Sequence, residues 1–521
     1  MTQNPITVYW GDGFTQVEST LALPEELFHK LKYWHRSLEW DERQMRRVAS
    51  GEYRDLYSLT GDLRDNIYVQ QLITLPGFVH RIKEVLDELR LPFDFVDIRT
   101  PVPAPDLLTA MVGLREYQLE CAYTALVSGG GIIACPTGWG KTHIIAALVK
   151  AYTRDELCIR NTPVTVVATP EKDITEKDYK DLCELLPDRD VGLVMSGRKK
   201  FSDDVQVCTL DSLHRLNLDE AGILIVDEAH TAPTPKRAEM ILAANKALRW
   251  AVSATPTGRF DGRDVVTEGL FGPVVYHRTY AQGIADGALV PIRVLWVPSP
   301  EPAIGMEHYE RYRTRAGKYR HAVDRNENQN RAIAQILKRL PADRQALCIM
   351  KHLDQMNRIV PLCADGIRFV HAEESQDALA RKNLHNLAAV SRKERRAVYK
   401  AMAAGDIRQV LSTYVYKQGV NFPELTYVIN AGGGGSELIA QQIPGSESRN
   451  IEGKNESYLI DFWHPWDLVA DPNGGQKAGP VHKDDQSREK AYTKLGFEQI
   501  WLNSLDELPF WGASDGDNKL L

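Results

Sequence analysis

The sequence predicts an α/β protein with two consecutive parallel-sheet domains behind a small N-terminal α+β segment. Two observations carry that expectation. Between residues 111 and 290, the apolar runs "GIIAC", "VTVVAT", "GLVMS", "VQVCT", "GILIVD" and "WAVSAT" alternate with helical stretches. Continuous β-rich runs suit parallel strands buried on both faces, and their alternation with helices marks a parallel α/β sheet. Between 291 and 470 the same style returns in "ALCIM", "IRFVHA", "RQVLST", "TYVINA" and "SYLIDF". A chain of 521 residues fits about three domains at roughly 100–200 residues each.

The elements follow in order. In residues 1–110, an accessory domain, "ITVYWGDGFTQVE" reads as a hairpin around a Gly/Asp turn. Leu27, Leu31, Trp34 and Leu38 then recur at helical spacing, which places Trp34 on an apolar, core-facing stripe. Lys30, Lys32, Arg36, Arg43, Arg46 and Arg47 surround that stripe, and either contact nucleic-acid phosphates or face solvent. "GFVHRIKEVLDELRL" reads as a second helix, "FDFVDIRT" as a closing strand and "PVPAPD" as a proline-stiffened linker. The third region opens with "MEHYERYRTRAGKYRHAVDRNENQNRAIAQIL", read as helical, its charges a solvated face. The tail, residues 471–521, holds the loop "DPNGGQKAGP" and the helical "SREKAYTKLGF".

Composition is that of an ordinary soluble globular chain, 43% hydrophobic and 26% charged. The net charge of −7 neither supports nor excludes nucleic acid, because a local basic groove suffices for binding. Seven cysteines are scattered without C-x-x-C spacing. That argues against a disulfide framework or zinc module and for reduced core thiols. The N-terminus lacks the basic start and apolar run of a signal peptide, and no uncharged apolar stretch reaches about 18 residues. The expected compartment is cytoplasmic.

The strongest chemical signal is "GIIACPTGWGKT". An apolar strand runs into Pro136, Thr137, Gly138, Trp139, Gly140, Lys141 and Thr142, and a helix follows. Glycines let backbone N–H groups face phosphate oxygens, and the helix N-terminus adds partial positive charge. Lys141 would reach the β/γ-phosphates, and the Thr142 hydroxyl would ligate Mg²⁺. Trp139 within the loop is read as packing rather than stacking on a base, since Trp is readily buried. The partner signal is "GILIVDEAH", with Asp227 and Glu228 at the end of a buried strand. Buried adjacent carboxylates are costly without a task. Asp227 suits a water-mediated magnesium contact, and Glu228 suits the deprotonation of an attacking water.

The order of motifs resembles the superfamily 2 helicases. "LREYQ", with Arg115 and Gln118, looks like the adenine-recognition segment; "CPTGWGKT" is similar to motif I and "ATPEK" to motif Ia. "TLDSL" lies where motif Ib belongs, "DEAH" resembles motif II, "SATPTGRFDG" motif III and "LCIMKHLDQM" motif IV. "STYVYKQGVNFPEL" resembles motif V and "QQIPGSESR" motif VI. "LFGPVVYHRTYAQGIADGALVP" looks like the inter-domain join of UvsW-, RecG- and XPB-like DNA helicases, and the tail helix like that of phage members. The resemblance spans roughly residues 112–500.

The resemblance implies two tandem RecA-like P-loop domains, residues 111–290 and 291–470, that bind ATP and Mg²⁺. It implies Lys141, Asp227, Glu228, Gln442 and Arg449 as the catalytic set, and Gly419 and Asn421 as nucleotide contacts. His230, Ser253 and Thr255 would couple hydrolysis to movement. Thr169, Thr209 and Thr413 would touch the nucleic-acid backbone, although threonines at strand ends are also common turn residues. A motor that moves over any sequence grips phosphates rather than base edges. The expected partner is nucleic acid, DNA before RNA, acted on by a monomer in replication, recombination or repair.

Two positions depart from the family pattern. The usual motif V aspartate is Asn421, which still hydrogen-bonds a ribose hydroxyl. The first motif VI arginine is Ser446, which cannot replace a guanidinium. A finger arginine is worth about 10³–10⁵ in rate. Three readings therefore stand: a DNA helicase or translocase, an RNA helicase, and a nucleic-acid-binding or annealing protein with a weakened ATPase.

Overall fold

The computed structural model describes residues 4–41, 46–64, 67–101, 104–152, 164–256, 261–312, 314–364, 367–372, 374–413, 422, 424–434, 454–470 and 476–511. It divides into two units, Met1–Pro136 with Gly140–Arg278, and Thr137–Trp139 with Thr279–Leu521.

The first unit starts with strands β1 (Ile6–Trp10) and β2 (Thr15–Ser19), antiparallel across the expected Gly/Asp turn. Helix α1 (Glu25–Lys30) follows, and then a hairpin of β3 (Lys32–Asp41) and β4 (Arg46–Asp55). This corrects the expectation of one helix through Leu38. Past Leu31 the burial alternates with period two: Tyr33 and His35 turn inward, and Trp34 outward. A strand with an antiparallel partner in register from Lys32↔Asp55 to Asp41↔Arg46 outcompetes a helix that only Leu27 and Leu31 anchor. Trp34 is 44% exposed, edge-to-face with Tyr53, and is not core.

β5 (Tyr57–Arg64), β6 (Ile67–Thr74) and β7 (Phe93–Asp97) complete a sheet ordered β5-β6-β2-β1-β7. Helix α2 (Val79–Glu88) covers it through Val79, Ile82, Val85 and Leu86. The turn at Pro76–Phe78 meets helix α6 (Asp264–Phe271), with glycines where the chains touch. A Cβ on Gly77 would lie 2.2 Å from the Glu268 carbonyl oxygen, and one on Gly269 2.4 Å from Leu75. Arg81 donates from Nε and Nη2 to the two Glu268 oxygens at 2.7 and 2.5 Å, and His80 Nε2 lies 2.7 Å from Oε1.

The second sheet of this unit comprises β8 (Gly131–Ala134), β9 (Val164–Thr169), β10 (Val191–Met195), β11 (Arg198–Lys200), β12 (Val205–Thr209), β13 (Ala221–Asp227), β14 (Leu248–Ser253) and β15 (Val274–His277). Their order is β11-β10-β12-β9-β13-β14-β8-β15, parallel except for the β10–β11 pair. All six apolar runs read from the sequence form strands here. Helices α3 (Glu116–Ser128), α4 (Lys141–Lys150) and α5 (Lys172–Leu185) belong to the same layer structure. The fold is the RecA-like one that the resemblance implied.

The second unit holds a parallel sheet ordered β18-β19-β17-β20-β21-β16-β24. Its strands are β16 (Ile292–Pro298), β17 (Gln345–Ile349), β18 (Arg368–Val370), β19 (Gln409–Ser412), β20 (Leu425–Asn430), β21 (Ser457–Trp463) and β24 (Glu498–Trp501). The charged stretch after β16 is not one solvated helix. It breaks into short turns before helix α7 (Glu327–Arg339), and it buries Tyr309, Tyr319, Ala322 and Val323 against Val481.

The tail helix α8 (Pro480–Leu495) inserts Arg488 into this unit. Its guanidinium reaches Asp461 from Nε (2.8 Å) and Nη2 (3.1 Å), Asp485 (3.1 Å), and the carbonyls of Gly434 and Phe462 (2.8 Å each). Among the described residues the six cysteines are free thiols, and no helix is long and apolar enough to cross a membrane.

Candidate nucleotide site of the first unit

β8, β13 and β14 end side by side, so the residues just past them converge. After β8 the chain turns through Gly138 (φ 88°) and Gly140 (φ 102°), left-handed values that favour glycine. Gly140 has a second reason. Buried Gln118 on α3 donates to its carbonyl at 3.4 Å, and a Cβ there would sit 2.3 Å from Gln118 Nε2. Gln118 also accepts from the Arg115 N–H at 3.0 Å, and Arg115 Nη1 donates to Tyr117. The structure thus joins "LREYQ" to the phosphate loop. Lys141 and Thr142 open α4, whose N-terminal amides provide a ready anion site.

Lys141 Nζ lies 3.5 Å from Glu228 Oε1, with both side chains largely buried. Glu228 has φ 49° and ψ 44°, a left-handed conformation that costs a non-glycine residue about 1–3 kcal/mol and concentrates at functional sites. Burial alone would raise the Glu228 pKa, but the Lys141 ammonium and His230 bring it down to about 2. Burial disfavours the charged Lys141, yet Glu228 and Asp227 together hold its pKa above the ordinary value. Asp227 is shifted the other way, upward, by burial and by the Glu228 charge. Its Oδ1 is buried and has no hydrogen-bond partner among the described residues.

His230 connects this pair to the end of β14. Its Nδ1 lies 3.3 Å from Glu228 Oε2 and 3.2 Å from Ser253 Oγ, which in turn accepts the Thr255 N–H at 3.1 Å. Motif II and motif III therefore form one buried polar chain.

Other expected residues lie elsewhere. Pro136 ends the first unit's stretch, and Thr137–Trp139 group with the second unit. Trp139 is fully buried and donates to Asp286 Oδ2 at 3.0 Å, which agrees with a packing role. The Thr169 hydroxyl is buried against that of Thr175, and the Thr209 hydroxyl donates to Ser212 at 2.7 Å. Both face internal partners rather than solvent. Thr413 is 9% exposed at the end of β19. Gly419, Asn421, Gln442, Ser446 and Arg449 fall outside the described residues.

One site residue escaped the sequence reading. Asp178 on α5 is buried beside Asp227, and burial plus that neighbouring charge push its pKa up to about 8. The signal was a carboxylate interrupting an apolar stripe: Ile174, Asp178 and Leu182 share one face at i, i+4, i+8.

Comparison with known proteins agrees with this geometry. A family model described as "Type III restriction enzyme, res subunit" matches residues 111–258. A putative helicase of Sulfolobus islandicus filamentous virus is 22% identical over 425 residues, covering 76% of this chain and 71% of the viral protein. The DNA 3′-5′ translocase XPB2 of Sulfurisphaera tokodaii is 29% identical over 182 residues, covering 34% of this chain and 38% of the translocase. Among solved structures, S. cerevisiae Dbp5 bound to RNA and ADP BeF3 superposes with a TM-score of 0.51 at 14% identity, covering 76% of this chain and 94% of that one.

Proposed function

From the premise of a superfamily 2 helicase, an ATP-hydrolysing enzyme, we propose that this chain couples ATP hydrolysis to translocation on DNA. It unwinds or remodels duplex or branched DNA in replication, recombination or repair, moving 3′ to 5′. The observation that carries the reading is the chain Lys141–Glu228–His230–Ser253–Thr255, in which the group beside the scissile phosphate is tied to motif III. DNA is favoured by the similarity to a DNA translocase.

The triphosphate binds the glycine turn and the α4 N-terminus, and Lys141 neutralises the β/γ oxygens. Glu228, ionised, accepts the proton of the attacking water. A bound Mg²⁺ would screen the phosphate charge. The partnerless Oδ1 of Asp227 fits a water of that ion, with the Thr142 hydroxyl at the loop end. Among the described residues no cluster of three or more His, Cys, Asp or Glu side chains could hold a metal directly. The protein contacts would then be few and shared with the nucleotide, as is usual for Mg²⁺. His230 passes the state of Glu228 to Ser253 and Thr255. Thr169 and Thr209 have engaged hydroxyls, so their backbone N–H groups carry the phosphate contacts. Gln442 and Arg449 complete the catalytic set, with Ser446 lowering turnover.

The test is ATPase stimulation by forked DNA against structured RNA. Stronger stimulation by DNA supports the reading. Stronger stimulation by RNA replaces it with the RNA-helicase one, towards which the likeness to an RNA-bound fold points. Ser446→Arg should raise DNA-stimulated turnover at least tenfold, out of the about 10³–10⁵ that a finger arginine supplies. No gain would remove Ser446 as the cause of weak hydrolysis.

A further inference from the structure

At the end of the first unit's parallel sheet remote from the phosphate loop, a cavity of about 620 Å³ opens beneath β8 and β14. That size suits a small-molecule site, commonly 300–1,000 Å³. One wall comes from the accessory sheet, through Trp10, Asp12 and the stretch Asp97–Pro101; the other comes from the starts of β8 and β14. Much of the lining is apolar, with Pro76, Leu126, Leu270 and Phe271.

One side chain in this cavity is out of keeping with a purely structural wall. Arg249, the second residue of β14, is only 8% exposed. Its Nη2 donates to the Asp12 carbonyl at 3.1 Å, but its Nη1 is buried with no hydrogen-bond partner among the described residues. Burial lowers its pKa to about 10, partly offset by the Asp12 charge. The Asp12 carboxylate is engaged by Thr100, through N–H at 2.9 Å and through the hydroxyl. A buried guanidinium with unspent donors is costly unless something pairs with it.

The remaining charges leave the balance positive. Arg99 lies over the Trp10 ring, 3.2 Å from its centroid, and pairs with Asp97 at 2.6 Å. His80 is bound to Glu268, and Lys246 also lines the cavity.

We propose that this cavity binds a small organic anion, a planar apolar body carrying one carboxylate or phosphate, with Arg249 as its anchor. Nη1 donates to the anionic oxygens, and the proline, leucine and phenylalanine walls take the ring. Because both walls contribute, occupancy clamps the accessory sheet to the first RecA-like sheet, and binding to the folded state raises its stability.

The test uses the full chain carrying Lys141→Ala, so that heat from the nucleotide site does not intrude. Phenyl phosphate and benzoate are titrated calorimetrically, with inorganic phosphate alongside. The expected result is saturable binding of one equivalent of phenyl phosphate or benzoate. The source of the anionic group is read from which of the two binds more tightly. Inorganic phosphate should bind at least tenfold more weakly. Arg249→Gln should weaken binding at least tenfold. Should that variant fold poorly, Ala104→Phe, at an exposed lining position, blocks the cavity with Arg249 intact and should weaken binding as much. No saturable binding of either ring probe, or binding unchanged in Ala104→Phe, overturns the proposal.

Discussion

Replacing Arg488 with methionine removes the cation at the centre of the second unit while keeping most of its volume. The guanidinium is 1% exposed and makes five hydrogen bonds, three of them to Asp461 and Asp485. Both carboxylates are buried, Asp461 at 0% exposure and Asp485 at 2%. Burial would raise the Asp485 pKa, but His464 and Arg488 hold it below the ordinary value. Removing one partner of a buried ion pair costs about 3–5 kcal/mol. Here two carboxylates and two carbonyls lose a donor together, so the upper end applies. About 5 kcal/mol is a large share of the 5–15 kcal/mol that holds a domain together. A chain of two units has no single unfolding free energy, so the loss is best read locally. Hydrogen–deuterium exchange of Ser457–Trp463, the strand that carries Asp461, should accelerate by roughly 10²–10⁴-fold. The double variant Asp461→Asn with Arg488→Met should recover part of that loss. An acceleration below tenfold in Arg488→Met would refute the reasoning that this cluster anchors the tail helix.

Three further outcomes follow from the first unit. Glu268 is desolvated, which alone would raise its pKa, but His80 and Arg81 hold it at about 2 against an ordinary 4.5. That difference is worth about 3 kcal/mol at 1.36 kcal/mol per unit. For a lowered carboxylate the stabilisation is present above pH 4.5 and is lost as pH falls through 2. Glu268→Gln should therefore speed exchange in Val79–Glu88 on the order of 10²-fold at pH 7, with the gap to the parent chain narrowing as pH falls below 4.5. Gly140→Ala forces a side chain into φ 102° and to within 2.3 Å of Gln118, so ATP binding measured by fluorescent-nucleotide titration should fall at least tenfold. His230→Ala should abolish stimulation of the ATPase by DNA while the unstimulated rate stays within about tenfold, because Lys141 and Glu228 remain in place. Equal stimulation in parent and variant would remove His230 from the coupling path.

Much of the fold was legible because parallel strands buried on both faces announce themselves as unbroken apolar runs, as at Ile223–Val226 and Val428–Ile429. The hairpin at Lys32–Asp55 was not. Leu27, Leu31, Trp34 and Leu38 satisfy a helical period that the chain abandons at Lys30, and only strand pairing decides between the two. β16 was passed over because its run lies directly behind the stretch read as a domain join, although it ends up inside the sheet. Within the site, the loop, the carboxylates and the Gln118 contact were readable as motifs. Asp178 was hidden because it belongs to no motif, and the Trp139–Asp286 bond because 147 positions separate its ends. The engaged hydroxyls of Thr169 and Thr209 depend on neighbours, Thr175 and Ser212, that the motif pattern does not weigh.

The central claim is that the pair of Lys141 and Glu228 powers a DNA-driven motor. Its most direct test is steady-state ATP turnover with and without forked DNA for the parent chain, Lys141→Ala and Glu228→Gln. The account predicts turnover in the parent chain that rises with DNA, and a loss of at least 10²-fold in each variant. A parent chain no faster than Lys141→Ala, with DNA present, would contradict it and leave a nucleic-acid-binding protein without a working motor.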